Sequence, residues 1–292
     1  MNAISIPYFE IAAFAGETFA GNQAGVCVLG EWLPERTLQA IAAQNNLSET
    51  AFAVQRGHRY DLRWFTPTLE AELCGHATLA MAHVLFHHLG IGGDTVCFDT
   101  QAGSLSVTRE SDRLVLDFPS QPPTPSHDSH RDLINALGAT PQFVFRDRDY
   151  LAVFGTAEEI EQLRPSIAAI AELNVGAVIV TAPGTDYDFV SRYFAPGFGI
   201  PEDPVTGSIH CALIPYWSER LGKQQLHARQ LSTRGGELFC EDRGDRVSIG
   251  GTAVTYLVGN IYVPASSIAG KGTSPTKRTG VNHLGALQSA PT

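Results

Sequence analysis

Leu73–Gly90 reads LCGHATLAMAHVLFHHLG, and Val205–Gly222 reads VTGSIHCALIPYWSERLG. The first stretch opens on Cys74-Gly75-His76 and continues as a helix whose apolar residues include Leu79, Val84, Leu85 and Leu89. It stops at Gly90, the residue type that takes the left-handed conformation ending many helices. In the second stretch Gly207 to Gly222 covers the same fifteen steps as Gly75 to Gly90. It also closes on Leu-Gly, and it sets Ala212 on Ala80. Two helices are opened and closed in the same way.

The match extends outward from both helices. Arg63-Trp64-Phe65-Thr66-Pro67 corresponds to Arg192-Tyr193-Phe194-Ala195-Pro196, Thr100-Gln101-Ala102-Gly103 to Thr233-Arg234-Gly235-Gly236, and Asp112-Arg113 to Asp245-Arg246. The separation moves from 129 to 132 to 133, so the copies differ by a few loop residues. Order and spacing kept over several segments indicate an internal duplication. It predicts two similar lobes with a cleft between them.

At 292 residues the chain exceeds a usual single core of roughly 100 to 200 residues. We therefore expect an N-terminal lobe over 1–118, a C-terminal lobe over 119–263 and a tail over 264–292. Short alternating strands around each helix, such as 24–29, 49–54, 61–65, 95–99, 104–109 and 114–118 in the first lobe, give an α+β class in which one long helix packs inside a curled sheet. The Pro-, Ser- and His-rich stretch 120–130 is the expected linker. A net charge of -10 without a basic stripe argues against a nucleic-acid or anionic-membrane surface. The start of the sequence has no signal-like run and no segment is apolar for long enough to span a bilayer, so a cytoplasmic protein is expected. Five scattered cysteines with no CxxC pair suggest free thiols.

The helix starts are where chemistry is expected. A helix N-terminus leaves backbone N–H groups unpaired and carries about half a positive charge, so two such ends at Gly75-His76 and Gly207-Ser208, meeting between the lobes, would suit a small carboxylate. The copies differ where protons could move. Ala177 stands opposite Glu49, Thr206 opposite Cys74 and Ser208 opposite His76, so the duplicated site is chemically one-sided. Glu49 heads an otherwise apolar strand, where burial would raise its pKa into the range useful for acid–base work. Asp203 lies in the loop feeding the second helix, and His76 is placed to hydrogen-bond a ligand. His83, His87 and His88 lack the carboxylate pattern of a metal motif and read as a solvated helix end, so no metal is expected. No dinucleotide fingerprint, phosphate loop or nucleophile elbow is present.

Asn46-Leu47-Ser48-Glu49-Thr50-Ala51-Phe52, Leu73-Cys74-Gly75-His76-Ala77-Thr78 and Glu202-Asp203-Pro204-Val205-Thr206-Gly207-Ser208, with Phe19-Ala20-Gly21-Asn22 upstream, resemble the PhzF-like isomerase family of phenazine biosynthesis, over about Ile4 to Val263. The resemblance implies a diaminopimelate epimerase-like fold of two pseudo-symmetric lobes, usually assembled as a homodimer. It implies Glu49 as the acid–base residue, His76 and Asp203 assisting it, and a substrate held by Gly75, Gly207, Ser208, Asn22 and Cys74, with no cofactor. Related epimerases and racemases carry a cysteine at each helix start, whereas here Thr206 takes the second place. A threonine hydroxyl is far too weak an acid to replace a thiol. A single carboxyl group moving a proton between carbons of a small acid is the preferred expectation. The alternatives are an amino-acid racemase or epimerase using Cys74 and a non-catalytic small-acid binding protein.

Overall fold

A computed structural model describes residues 3–268 of the chain. The first half contains β1 (Ala3–Ala13), β2 (Asn22–Leu29), α1 (Glu35–Asn45), β3 (Glu49–Arg56), β4 (Arg59–Phe65), β5 (Glu70–Ala71), α2 (Gly75–His83), β6 (Thr95–Thr100), β7 (Gly103–Glu110) and β8 (Arg113–Pro119). The second contains α3 (Arg131–Leu137), β9 (Phe143–Arg146), β10 (Tyr150–Val153), α4 (Ala157–Gln162), α5 (Ile167–Ala171), β11 (Val178–Pro183), β12 (Phe189–Ala195), β13 (Ile200–Asp203), α6 (His210–Leu221), β14 (Gln225–Gln230), β15 (Gly236–Asp242) and β16 (Arg246–Gly251). A last strand, β17 (Ala253–Pro264), returns to lie antiparallel along β1. The class is α+β, as the sequence indicates.

The duplication is visible in the sheet. Antiparallel β1–β2, parallel β2–β3, antiparallel β3–β4 and β4–β5, parallel β4–β6, and antiparallel β6–β7 and β7–β8 recur in the same order from β9 to β16. β8 and β16 then pair with each other, with Leu116 opposite Ile249. These two residues are also each other's copies, 133 positions apart, so the pseudo-twofold axis passes between them. The halves are thereby fused edge to edge into one seventeen-stranded sheet.

Each half curls around its helix. Every residue of α2 is buried, and the small side chains of Ala77, Ala80 and Ala82 let the strands close tightly around it. In α6 Leu213, Ile214 and Trp217 face inward; Trp217 stacks on Phe189 with ring centroids 5.8 Å apart and donates to Thr181 Oγ1 at 2.9 Å. Pro215 inside α6 has no N–H for the Cys211 carbonyl four residues back. The Gln121 N–H takes that carbonyl instead, at 2.9 Å. Between α4 and α5 Pro165 breaks the helical run, as its chemistry requires.

Several expectations need correction. The first organising helix is not α-helical to Gly90: it widens into a π-turn over Val84–His88, closed by Leu89 N–H to Val84 O at 3.0 Å, before Gly90 takes φ +63°. That turn draws His83 inward, where it meets Thr255 Oγ1 at 3.0 Å, so only the end of the histidine group is exposed. The second helix becomes regular at His210; Gly207–Ile209 form a tight turn before it. Helix α3 and strands β13 and β14 lie in segments left unassigned on sequence. Of the expected tail, Pro264 ends β17 and Ala265–Ile268 form a 3₁₀ turn, while 269–292 lie outside the described residues. No helix among the described residues is long and apolar enough to cross a membrane.

Candidate active site

The two helix starts meet on the pseudo-twofold axis. A Cβ on Gly75 would stand 3.4 Å from Gly207 Cα, and one on Gly207 would stand 3.5 Å from Gly75 Cα. A single methyl at either position would be in ordinary contact with the facing backbone, and anything larger would force the two backbones apart. Cys74 enters α2 in an extended conformation (φ -143°, ψ 110°), leaving the first N–H groups of the helix directed out of its start. On the other side the Thr206 N–H is held by Gln230 Oε1 at 2.8 Å, and the turn at Gly207 follows.

Around this contact the structure gathers Asn22, Glu49, Cys74, His76, Asp203 and Thr206. Asn22 is wholly buried and ties the halves together. Its Nδ2 donates to Asp203 Oδ1 at 2.8 Å and to the Val205 carbonyl at 2.9 Å, while Ser48 Oγ donates to its Oδ1 at 3.2 Å. It reaches this position through Gly21, whose φ of +67° and close packing leave no room for a side chain; a Cβ there would lie 2.3 Å from the Ala13 carbonyl oxygen. The other oxygen of Asp203 accepts from Thr206 Oγ1, and Gln230 Nε2 donates to the Asp203 carbonyl at 2.8 Å. Thr206, in the place of a second thiol, is thus spent on holding Asp203.

His76 lies between Glu49 and Cys74. Its Nδ1 lies 3.3 Å from Asn22 Nδ2 and 3.5 Å from Cys74 Sγ. Nε2 stands 3.2 Å from Glu49 Oε2, though without the alignment of a hydrogen bond. Glu49 is nearly enclosed, and its carboxyl also meets the Cys74 thiol.

Burial dominates the electrostatics. Desolvation, reinforced by the Asp203 charge, pushes Glu49 up to about 8, and desolvation raises Asp203 to about 6 despite donors from Thr206 and Asn22. Burial lowers His76 to about 4, so its ring is neutral at physiological pH. Burial and the Glu49 charge hold the Cys74 thiol well above its ordinary value. Near neutrality Asp203 is ionised, Glu49 keeps its proton and Cys74 remains a thiol.

Glu49, Cys74 and His76 bring a carboxylate, a thiol and an imidazole within 4.8 Å of one another, a donor set of the kind a divalent cation uses. The ring turns Nδ1 to the thiol and Nε2 to the carboxyl, so the two partners meet different nitrogens. Ser208 lies half-buried in the turn before α6. Sequence reasoning missed Gln230, which clamps both Thr206 and Asp203, because the polar alternation of 225–230 resembles any exposed strand.

A family model for phenazine biosynthesis-like proteins (PhzC-PhzF) matches residues 11–259. The chain is 49% identical over 259 residues to a Pseudomonas aeruginosa protein named an uncharacterized isomerase, covering 88% of this chain and 99% of that one. It is similar to a solved PhzF-family protein of Enterococcus faecalis with a TM-score of 0.87 and 46% identity, over 89% of this chain and 100% of the other. A hydroxyproline epimerase from Agrobacterium vitis shares the fold alone, with a TM-score of 0.58 and 11% identity over 90% of this chain and 95% of the other.

Proposed function

The chain belongs to the phenazine biosynthesis-like (PhzC-PhzF) family of isomerases, and from that premise we propose that it shifts a proton between carbons of a small carboxylic acid, with Glu49 as the one proton carrier. The observation that supports this most is the pairing of an enclosed, proton-retaining Glu49 with two touching helix starts whose second half offers Ala177 and Thr206 where the first has Glu49 and Cys74.

In this reading the twin helix starts hold the substrate carboxylate. As the neighbouring C–H bond breaks, negative charge spreads into that carboxylate, and the fixed N–H dipoles stabilise it more than they stabilise the ground state. In the minority of molecules whose Glu49 is ionised near neutrality, the carboxylate removes the proton, and the resulting acid returns it to another carbon on the same face. The neutral ring of His76 packs beside the carboxyl, with Nε2 3.2 Å from Glu49 Oε2. Asp203, fixed by Asn22, Thr206 and Gln230, keeps a negative charge nearby, which favours the protonated form of Glu49 and so the return step. The racemase alternative gains no support, because it asks Cys74 for a thiolate in surroundings that hold its proton.

The test is to incubate a panel of unsaturated and hydroxylated carboxylic acids with the enzyme in D₂O and to follow them by NMR and mass spectrometry. We expect one deuterium to enter a carbon-bound position without inversion of a stereocentre. Inversion, or binding with no exchange across the panel, would reject the reading.

We also propose a homodimer built on β17. Among the described residues this strand pairs only with β1, its sequence from Ala253 to Pro264 carries no charge, and Tyr256, Val258 and Tyr262 are exposed on it. In a chain of net charge -10 such an edge lets two copies approach without repulsion. Light scattering is expected to give twice the chain mass, falling to one with Val258→Lys; a wild-type monomer would contradict this.

A further inference from the structure

His210 opens α6 from a wholly buried position and takes no part in the group around Glu49. Its Nδ1 lies 2.8 Å from the Thr206 carbonyl oxygen, and since a carbonyl only accepts, Nδ1 carries the hydrogen. Burial lowers the imidazole to about 4, so the ring is neutral and its other nitrogen, Nε2, is an acceptor. Nε2 is buried with no hydrogen-bond partner. That costs free energy which an apolar side chain of similar shape would spare, and the Nδ1–H is the group of this ring that can offset it.

The duplicated fold shows what that N–H replaces. At the separation of 132 that sets Thr206 on Cys74, His210 falls on Thr78. In α2 Thr78 closes an ordinary first turn, giving both its backbone N–H, at 3.2 Å, and its Oγ1–H, at 2.6 Å, to the Cys74 carbonyl. At the second start the turn is one residue tighter: the His210 backbone N–H goes to Gly207 O at 3.0 Å, and the ring takes the Thr206 carbonyl instead. Thr206 is then held at each of its polar groups, the N–H by Gln230 Oε1, the hydroxyl on Asp203 Oδ2 and the carbonyl by His210. Phe189, whose ring centroid is 5.8 Å from that of the imidazole and which itself stacks on Trp217, keeps the ring in place.

We propose that His210 is a positioning residue of the candidate active site: through the Thr206 carbonyl it fixes where the chain turns at Gly207, and so both the second half of the carboxylate seat and the hydroxyl that holds Asp203. This rests on the helix starts being the carboxylate seat. The imidazole acts through Thr206. A threonine, which serves at the first start, reaches the carbonyl four residues back across an ordinary helical turn, and the longer imidazole reaches it across the tighter one.

Two variants separate the donor from the ring. His210→Asn puts an amide N–H on the branch that carries Nδ1 and removes the ring, whereas His210→Phe keeps a ring against Phe189 and removes the donor. Calorimetry with propionate reads the seat. Carbon-13 NMR of the Glu49 carboxyl reads Asp203, whose charge helps to raise the Glu49 midpoint. His210→Asn is expected to bind propionate within about threefold of wild type and to leave the midpoint in place. His210→Phe is expected to lose at least about tenfold in affinity. It is also expected to move the midpoint down toward the ordinary carboxylate range, because the Thr206 hydroxyl helps to keep Asp203 ionised and in place. His210→Leu, a smaller donor-free residue, is expected to follow His210→Phe, so the result does not hang on one variant folding. Wild-type binding in His210→Phe or His210→Leu, or a His210→Asn as impaired as they are, would overturn the assignment. Absence of propionate binding in the wild type would instead overturn the carboxylate seat. The midpoint then decides the hold on Asp203 by itself, supporting it if His210→Phe lowers the value and His210→Asn does not, and overturning it otherwise.

Discussion

Glu49→Gln is expected to slow deuterium exchange into the substrate by at least about 10³-fold while leaving its affinity within a few fold, since glutamine keeps the shape of the side chain and loses only the transferable proton. NMR-monitored exchange in D₂O measures the first and calorimetry the second. Cys74→Ser is the control. Because burial and Glu49 hold that thiol protonated, its loss is expected to cost less than about tenfold, whereas a Cys74-based racemase would lose activity altogether. The same Glu49 substitution reshapes stability. The folded-state pKa of about 8 lies above the ordinary glutamate value of 4.5, so between these values the folded protein binds more protons than the unfolded chain. The Glu49 contribution therefore falls as pH rises through that window. Glu49→Gln removes this loss, and the variant is expected to gain on wild type by on the order of 4 kcal/mol at pH 9 relative to pH 5, read from denaturant melts.

Gly75→Val is expected to abolish carboxylate binding, with a loss of at least about 100-fold in affinity for propionate, and to destabilise the fold by about 1–3 kcal/mol. The Cβ alone would already stand 3.4 Å from Gly207 Cα and 3.8 Å from Leu116 Cδ1 and Phe118 Cε2; the two further methyls have nowhere to go without parting the helix starts. Gly75→Ala stops at the contact limit and is expected to fold normally with a much smaller loss. Equal affinities in the two variants would mean that the closeness of the poles plays no part in binding.

What could be read from the sequence follows from what repeats. The duplicated helices, with their Leu-Gly ends, carried the two-helix architecture, and Glu49 stood out because a carboxylate at the head of Thr50-Ala51-Phe52-Ala53-Val54 has an apolar strand behind it. Asp203 was singled out by its place in the loop feeding the second helix and by the family resemblance, not by any burial signal of its own. An aspartate before proline looks like any turn, and only the clamp from Asn22, Thr206 and Gln230, residues 181, 3 and 27 positions away, gives it a role. The π-turn at Val84–His88 was invisible because one inserted residue leaves helical spacing nearly intact over so short a run. The closure of β17 onto β1 joins residues some 250 positions apart and has no local signature.

The claim on which the chemistry depends is that the Glu49 carboxyl titrates far above the ordinary range, close enough to neutrality to take and return a proton, beside a seat for an anion. Carbon-13 NMR of the glutamate side-chain carboxyls, with Glu49→Gln to assign the signal, measures this without knowledge of the substrate. A midpoint near 8 that moves higher when propionate is added is the expected result, since a second negative charge at the helix starts further disfavours the carboxylate. A midpoint in the ordinary range of about 4 to 5, indifferent to propionate, would contradict it.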